Sequence, residues 1–158
     1  MCLSKANLIQ LAEQNPDLVG GYAIPQIVAI CGDGNLRDGS DCSEQLREYL
    51  RDQSPEKLAQ YAHFCLDGTF PKSGFVLQDV VNEIGRRLGY EVKDGRYQGV
   101  SNQAGYDGLW FDGTNSIVIE VKTTDAYRIN LDTIQRFVAG LLGRWRAASV
   151  FQEYRPSG

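Results

Sequence analysis

A chain of 158 residues with 42% hydrophobic content is long enough to bury one ordinary core, while its net charge of −4 excludes a protein that coats nucleic acid by bulk positive charge. No apolar run approaches 18 residues and Met1 to Gln10 alternates polar and apolar residues too quickly for a leader, so no membrane association and a cytoplasmic location are expected. Cys2, Cys31, Cys42 and Cys65, accompanied only by His63, show no zinc spacing and no disulfide framework, and are expected as reduced thiols with His63 in a packing or surface role.

The first 70 residues read as helical. Residues 6–14, with Leu8, Ile9, Leu11 and Ala12 apolar, form a helix that ends at Asn15-Pro16, and residues 22–31 form a second apolar segment, helical after Pro25. Gly32-Asp33-Gly34-Asn35 and Asp38-Gly39-Ser40-Asp41 make a polar loop that lacks the ligand spacing and closing Glu of a calcium loop, so it is read as turns. Helices follow over 43–51 and 54–65, the second opened by Ser54-Pro55-Glu56 in cap and first-turn order. This region, 1–70, is expected to pack on the remainder as scaffold or as a contact surface for DNA or another chain.

From a cap at Ser73 or Gly74, a helix runs to Leu88 with Val76, Leu77, Val80, Val81, Ile84 and Leu88 on one face, and Gly89 stops it. Glu83 borders that stripe and either leans toward the sheet or pairs with Arg86 or Arg87 on the solvent face. Strands are expected over 90–93 and 96–100, with Gly95, Gly99 and Gly105 as punctuation. Tyr106-Asp107-Gly108-Leu109-Trp110 and residues 116–123 then read as a hairpin. Alternation places Glu120 and Lys122 on one face with Val118, and Ile117, Ile119 and Val121 on the other.

The apolar flanks imply a strand buried on both sides, where Glu and Lys are costly to place unless paired. A divalent cation held between Asp107 and Glu120, with the Lys122 ammonium beside them, would offset that cost. Mg²⁺ takes hard oxygen ligands through one or two carboxylates and keeps positions for water and phosphate, which points to phosphodiester chemistry. A solvated Glu120–Lys122 ion pair is the plain alternative.

Asp107, then Glu120-Val121-Lys122 on a Val/Ile-rich strand, resembles the PD-(D/E)XK nuclease superfamily over roughly residues 73–135, with Tyr106 standing where that family often has Pro. The resemblance implies an α/β fold with a restriction-endonuclease-like core, α-β-β-β-α-β around a mixed central sheet, occupying 71–158 behind the helical N-terminal region. It implies a Mg²⁺-dependent endonuclease acting on double-stranded DNA, of restriction or anti-phage defence type, with Mn²⁺ substituting. Asp107, Glu120 and the Val121 carbonyl would hold the metal, Glu83 on the first core helix would join them, and Lys122 would orient the attacking water. A Holliday-junction resolvase, or a non-catalytic module of the same fold that binds DNA or protein, are the rival readings.

Past the Lys, Thr123, Arg128 and Asn130 are donors near a strand end, where substrates usually meet such sheets; Arg128 suits a phosphate and Asn130 a helix cap. Lys93 and Arg96 either flank DNA or serve as plain surface. A helix over 132–146 and a last strand over 148–154 are expected, and the end of the chain suggests a module of a longer protein, or a homodimer that shares strands. Charge divides unevenly: residues 1–70 hold 5 Lys/Arg and 10 Asp/Glu, residues 71–158 hold 11 and 10. Covering the site carboxylates with metal would leave a basic excess on the second part.

Overall fold

The computed structural model of the chain describes residues 8–68, 70–101, 105–124, 134–135 and 138–140. They form a mixed α/β protein. Its helices are α1 (Leu8–Gln14), α2 (Pro16–Gly20), α3 (Ile24–Ile30), α4 (Asp41–Arg51), α5 (Pro55–Asp67) and α6 (Ser73–Arg87). The strands β1 (Glu91–Asp94), β2 (Gly108–Phe111) and β3 (Ser116–Ile119) make one antiparallel sheet in the order β1-β2-β3.

Local chemistry accounts for most of the boundaries. Asn15-Pro16 ends α1, but Pro16 also opens the short α2, because a proline at the first helical position gives up an N–H that has no partner there anyway. Ser40 and Ser54 cap α4 and α5, their hydroxyls accepting from the backbone N–H of Ser43 and Lys57. The cap expected at Ser73 or Gly74 lies one residue earlier. Lys72 takes the left-handed conformation at φ 67°, without a side-chain cap, and its ammonium reaches back to the Asn35 side chain and, at 2.7 Å, to the Leu36 carbonyl.

The helices share a core built on Leu8, Ile24, Ile27, Leu46, Leu50, Leu58, Tyr61, Val76 and Val80. Helix α6 is its hub, packing on α4, α5, β1 and β2. Its inward face differs from the expected stripe. Gln78, Asp79, Asn82 and Glu83 are buried, whereas Ile84 and Leu88 are exposed: Asp79 turns to Arg47 on α4 and to Tyr97, Asn82 to Trp110 on β2, and Glu83 to Arg87 within α6.

Two strand expectations change. Residues 96–100 do not extend β1: Tyr97 is drawn inward, its N–H bonding Asp38 at 2.9 Å and its hydroxyl donating to Asp79. Strand β3 is not buried on both sides; Ile117 and Val118 are 41% and 40% exposed. The chain forms two compact units, residues 1–97 with 106–125 and residues 98–105 with 126–158. In the second, residues 134–135 and 138–140 are helical, within the helix expected over 132–146; the strand expected over 148–154 lies outside the described residues.

Candidate functional site

The β2–β3 hairpin pairs Gly108 with Ile119 and Trp110 with Ile117. Just outside those pairs the register slips by one residue: the Asp107 N–H bonds the Ile119 carbonyl at 2.9 Å, although Ile119 is already paired with Gly108. Trp110 and Gly108 face Asn82 on α6, so alternation along β2 turns Asp107 to the other side, while Val121 packs on the core.

The backbone around Asp107 is fixed on three sides. Its carbonyl accepts from Gly95 N–H and from the Asn82 side-chain amide, both at 2.9 Å. Fully buried Asn82 also accepts from the Trp110 indole N–H at 3.0 Å, so one side chain on α6 holds two points of β2. Room for this exists only because two neighbours are glycines. A Cβ on Gly108 would lie 2.1 Å from Asn82 Oδ1, and one on Gly95 would lie 1.8 Å from the Tyr106 carbonyl oxygen.

With the main chain so held, the Asp107 carboxylate takes the Val121 N–H on Oδ2 at 2.6 Å. Burial raises the pKa of this half-buried carboxyl; the Val121 N–H opposes the rise, the neighbouring Glu120 carboxylate adds to it and Lys122 offsets part. The Lys122 ammonium hydrogen-bonds Glu120, and both side chains are partly exposed. Two carboxylates and one ammonium thus meet at the mouth of the hairpin, just past the end of β3.

Glu83 stands apart from them. Its carboxylate accepts from Arg87 at 3.0 Å and lies 3.9 Å from Arg86, while Arg87 also donates to the carbonyls of Leu50 and Arg51 at the end of α4. The arginine pairing weighed for Glu83 in the sequence is therefore present, on a largely buried face rather than in solvent. Among the described residues no three His, Cys, Asp or Glu side chains stand together as a metal cage. Glu83 does not complete such a set with Asp107 and Glu120.

Lys93 and Arg96 are exposed, Lys93 opposite Leu109 in the β1–β2 pairing. Thr123 is exposed beside Gly74, 3.9 Å from where a Cβ on that residue would stand, at the start of α6. Arg128 and Asn130 lie outside the described residues. Asn82 was not read from the sequence as part of the site, although an Asn at a fully buried helical position, three residues from both Asp79 and Gly85, is a signal that the helix holds something polar. No family model matches the chain, and no curated protein or solved structure matches it either.

Proposed function

We propose that the chain is a metal-dependent endonuclease with the restriction-endonuclease-like organisation its Asp107, Glu120 and Lys122 resemble, acting on double-stranded DNA as a restriction or defence nuclease. The observation that carries this reading is the convergence of those three side chains at the β2–β3 mouth, around the bond from Val121 N–H to the Asp107 carboxylate.

The donor set fits a hard divalent ion. Burial, and with it the Glu120 carboxylate, raises the pKa of Asp107 against the Val121 N–H, and a bound cation would offset both. Mg²⁺ commonly takes only one or two protein carboxylates, so the absence of Glu83 from the set is compatible with it. Asp107 and Glu120 would hold the ion, with the Val121 carbonyl a third donor by resemblance. When bound, the ion supplies an acidified water and neutralises phosphate charge. The protein's own part is orientation: Asn82, Gly95 and Val121 fix Asp107, and Lys122, released from Glu120, holds a water by hydrogen bond and steadies negative charge on the phosphate. Exposed Lys93, Arg96 and Thr123 are the donors offered to the DNA backbone.

A second reading has a specific observation in its favour. Glu120 and Lys122 already pair with each other at a partly exposed position and Glu83 is taken by Arg86 and Arg87, as in a non-catalytic module of this fold. The two readings separate on one assay. Linear, circular and branched DNA are incubated with the protein in Mg²⁺, Mn²⁺ or chelator. Cleavage in metal alone, lost in Asp107→Ala together with metal binding and lost in Lys122→Ala with metal binding kept, supports the nuclease; parent and both variants cutting equally would refute these roles.

A further inference from the structure

We propose that Cys31 and Cys42 form a reversible disulfide that closes the loop 32–41 when the protein meets a thiol oxidant of the glutathione-disulfide class. This inference stands apart from the nuclease reading and does not depend on it. Cys31 follows α3 as its C-cap and Cys42 sits in the first turn of α4; both are fully buried. The two segments abut. Gly32, at φ +50°, lets the backbone pass so near that a Cβ there would lie 2.9 Å from the Cys42 nitrogen, and its N–H bonds Gln45 of α4 at 3.1 Å. The Cys42 thiol points at the last turn of α3, donating to the Val28 carbonyl at 3.8 Å, and Cys31 stands close enough for each thiol to shift the other's titration. A disulfide requires neighbouring backbones, and the close approach of residue 32 to Cys42 brings the two cysteine-bearing segments together.

The two sulfurs are not equivalent. Neighbouring Cys31 lowers the pKa of Cys42 against the opposing effects of burial and Asp33, with Lys72 and Arg37 assisting; Cys42 and burial raise the pKa of Cys31. Cys42 is thus the attacking thiolate. It adds to one sulfur of glutathione disulfide, the glutathione S–S bond breaks, and one glutathione thiolate leaves. Cys31 then gives its proton to solvent and attacks the Cys42 sulfur, expelling the second glutathione thiolate. The protein loses two electrons and two protons, and glutathione disulfide becomes two glutathione thiols. Because both thiols are buried, the reaction waits on opening of the loop, whose Asp33–Arg37 ion pair is exposed. Cys65, buried on α5 with its pKa pushed up to about 12 by burial, is a poor competitor. Closure braces a segment that matters to the fold, since Asp38 takes the Tyr97 N–H, and Asn35 and Leu36 take Lys72 at the start of α6.

The folded protein is incubated with glutathione disulfide, free thiols are alkylated, and the protein is digested without reductant for peptide mass mapping. A peptide linking Cys31 to Cys42, lighter by two hydrogens and restored by dithiothreitol, is expected, with a thermal midpoint raised by about 5 °C. Cys31→Ala and Cys42→Ser each abolish the linked peptide and the rise. The proposal is overturned if both residues stay fully alkylated in the folded protein while chain oxidised in urea forms the link, if the linked peptide contains Cys2 or Cys65 instead, or if the oxidised protein melts lower than the reduced one.

Discussion

Asn82 holds the start of β2 with a donor and an acceptor that work in opposite directions. Its amide N–H₂ bonds the Asp107 carbonyl at a part-buried position, and its oxygen takes the buried Trp110 indole. Truncating it to Ala strands a buried indole N–H and removes one of two donors from the Asp107 carbonyl, and each unsatisfied buried group costs about 1–3 kcal/mol. Asn82→Ala should lower the free energy of unfolding in urea by about 2–3 kcal/mol. Asn82→Asp should cost at least as much, because a carboxylate offers no N–H to that carbonyl and carries charge into the core. An unchanged urea midpoint in both variants would remove Asn82 from this role. The same clamp ties the candidate site to the helix behind it: Asp107 presents its carboxylate to Val121 from a backbone that Asn82 and Gly95 hold in place.

Helix α6 meets β2 through Gly85, where a Cβ would lie 2.5 Å from the Trp110 ring. Two effects compete when that glycine becomes Ala. Helix propensity favours Ala by about 1 kcal/mol, while overpacking costs about 1–3 kcal/mol. Trp110 cannot swing aside cheaply, since its indole is bonded to Asn82 and its ring packs on Tyr90 at 5.5 Å, so the clash should win. Gly85→Ala is expected to lower the thermal midpoint, and a higher midpoint would show that the ring yields. Features of this kind explain what the sequence could and could not announce. Ser54-Pro55, Gly89 and the Val/Ile alternation around Ile117 act through neighbours in the chain, so α5, the end of α6 and the β2–β3 hairpin were readable, while Ser40, the cap of α4, sits in what the sequence presents as a polar loop. The inward turn of Tyr97 toward Asp38 and Asp79 and the exposure of Ile84 and Leu88 depend on partners distant in sequence or on which way the helix rolls, whereas the pairing of Glu83 with Arg86 and Arg87 is local and is among the readings the sequence offers for that residue. Hydrophobic spacing alone carries no such information.

Between the helices and the sheet runs a chain of charges in which Asp79 is buried and Arg47, Arg86 and Asp94 are partly exposed. Arg47 on α4 bonds Asp79 on α6 at 2.9 Å and approaches Asp94 on β1 at 3.9 Å; Arg86 bonds Asp94 at 2.5 Å, and Tyr97, beneath Arg47, donates to Asp79. Burial works against the Arg47 charge, yet Asp79 and Tyr97 hold its pKa above the usual value, so it stays ionised. Asp79 pays for its depth. Burial pushes its pKa up to about 6 despite Arg47 and Tyr97, with Asp94 adding to the rise. In the unfolded chain this carboxyl titrates near its ordinary value of about 4, so between there and about 6 the folded protein binds the extra proton. The contribution of Asp79 to stability is therefore complete below about 4 and is lost as pH rises through about 6. Other carboxyls titrate over the same range, so the parent must be compared with Asp79→Asn, in which they remain and this one does not. The difference in unfolding free energy, parent minus variant, should fall between pH 4.5 and pH 7.5, tracked by urea unfolding at half-unit steps. Parallel curves would mean that Asp79 titrates as it does in the unfolded chain, and that the charges joining α4, α6 and β1 set the packing of these elements without making it sensitive to pH.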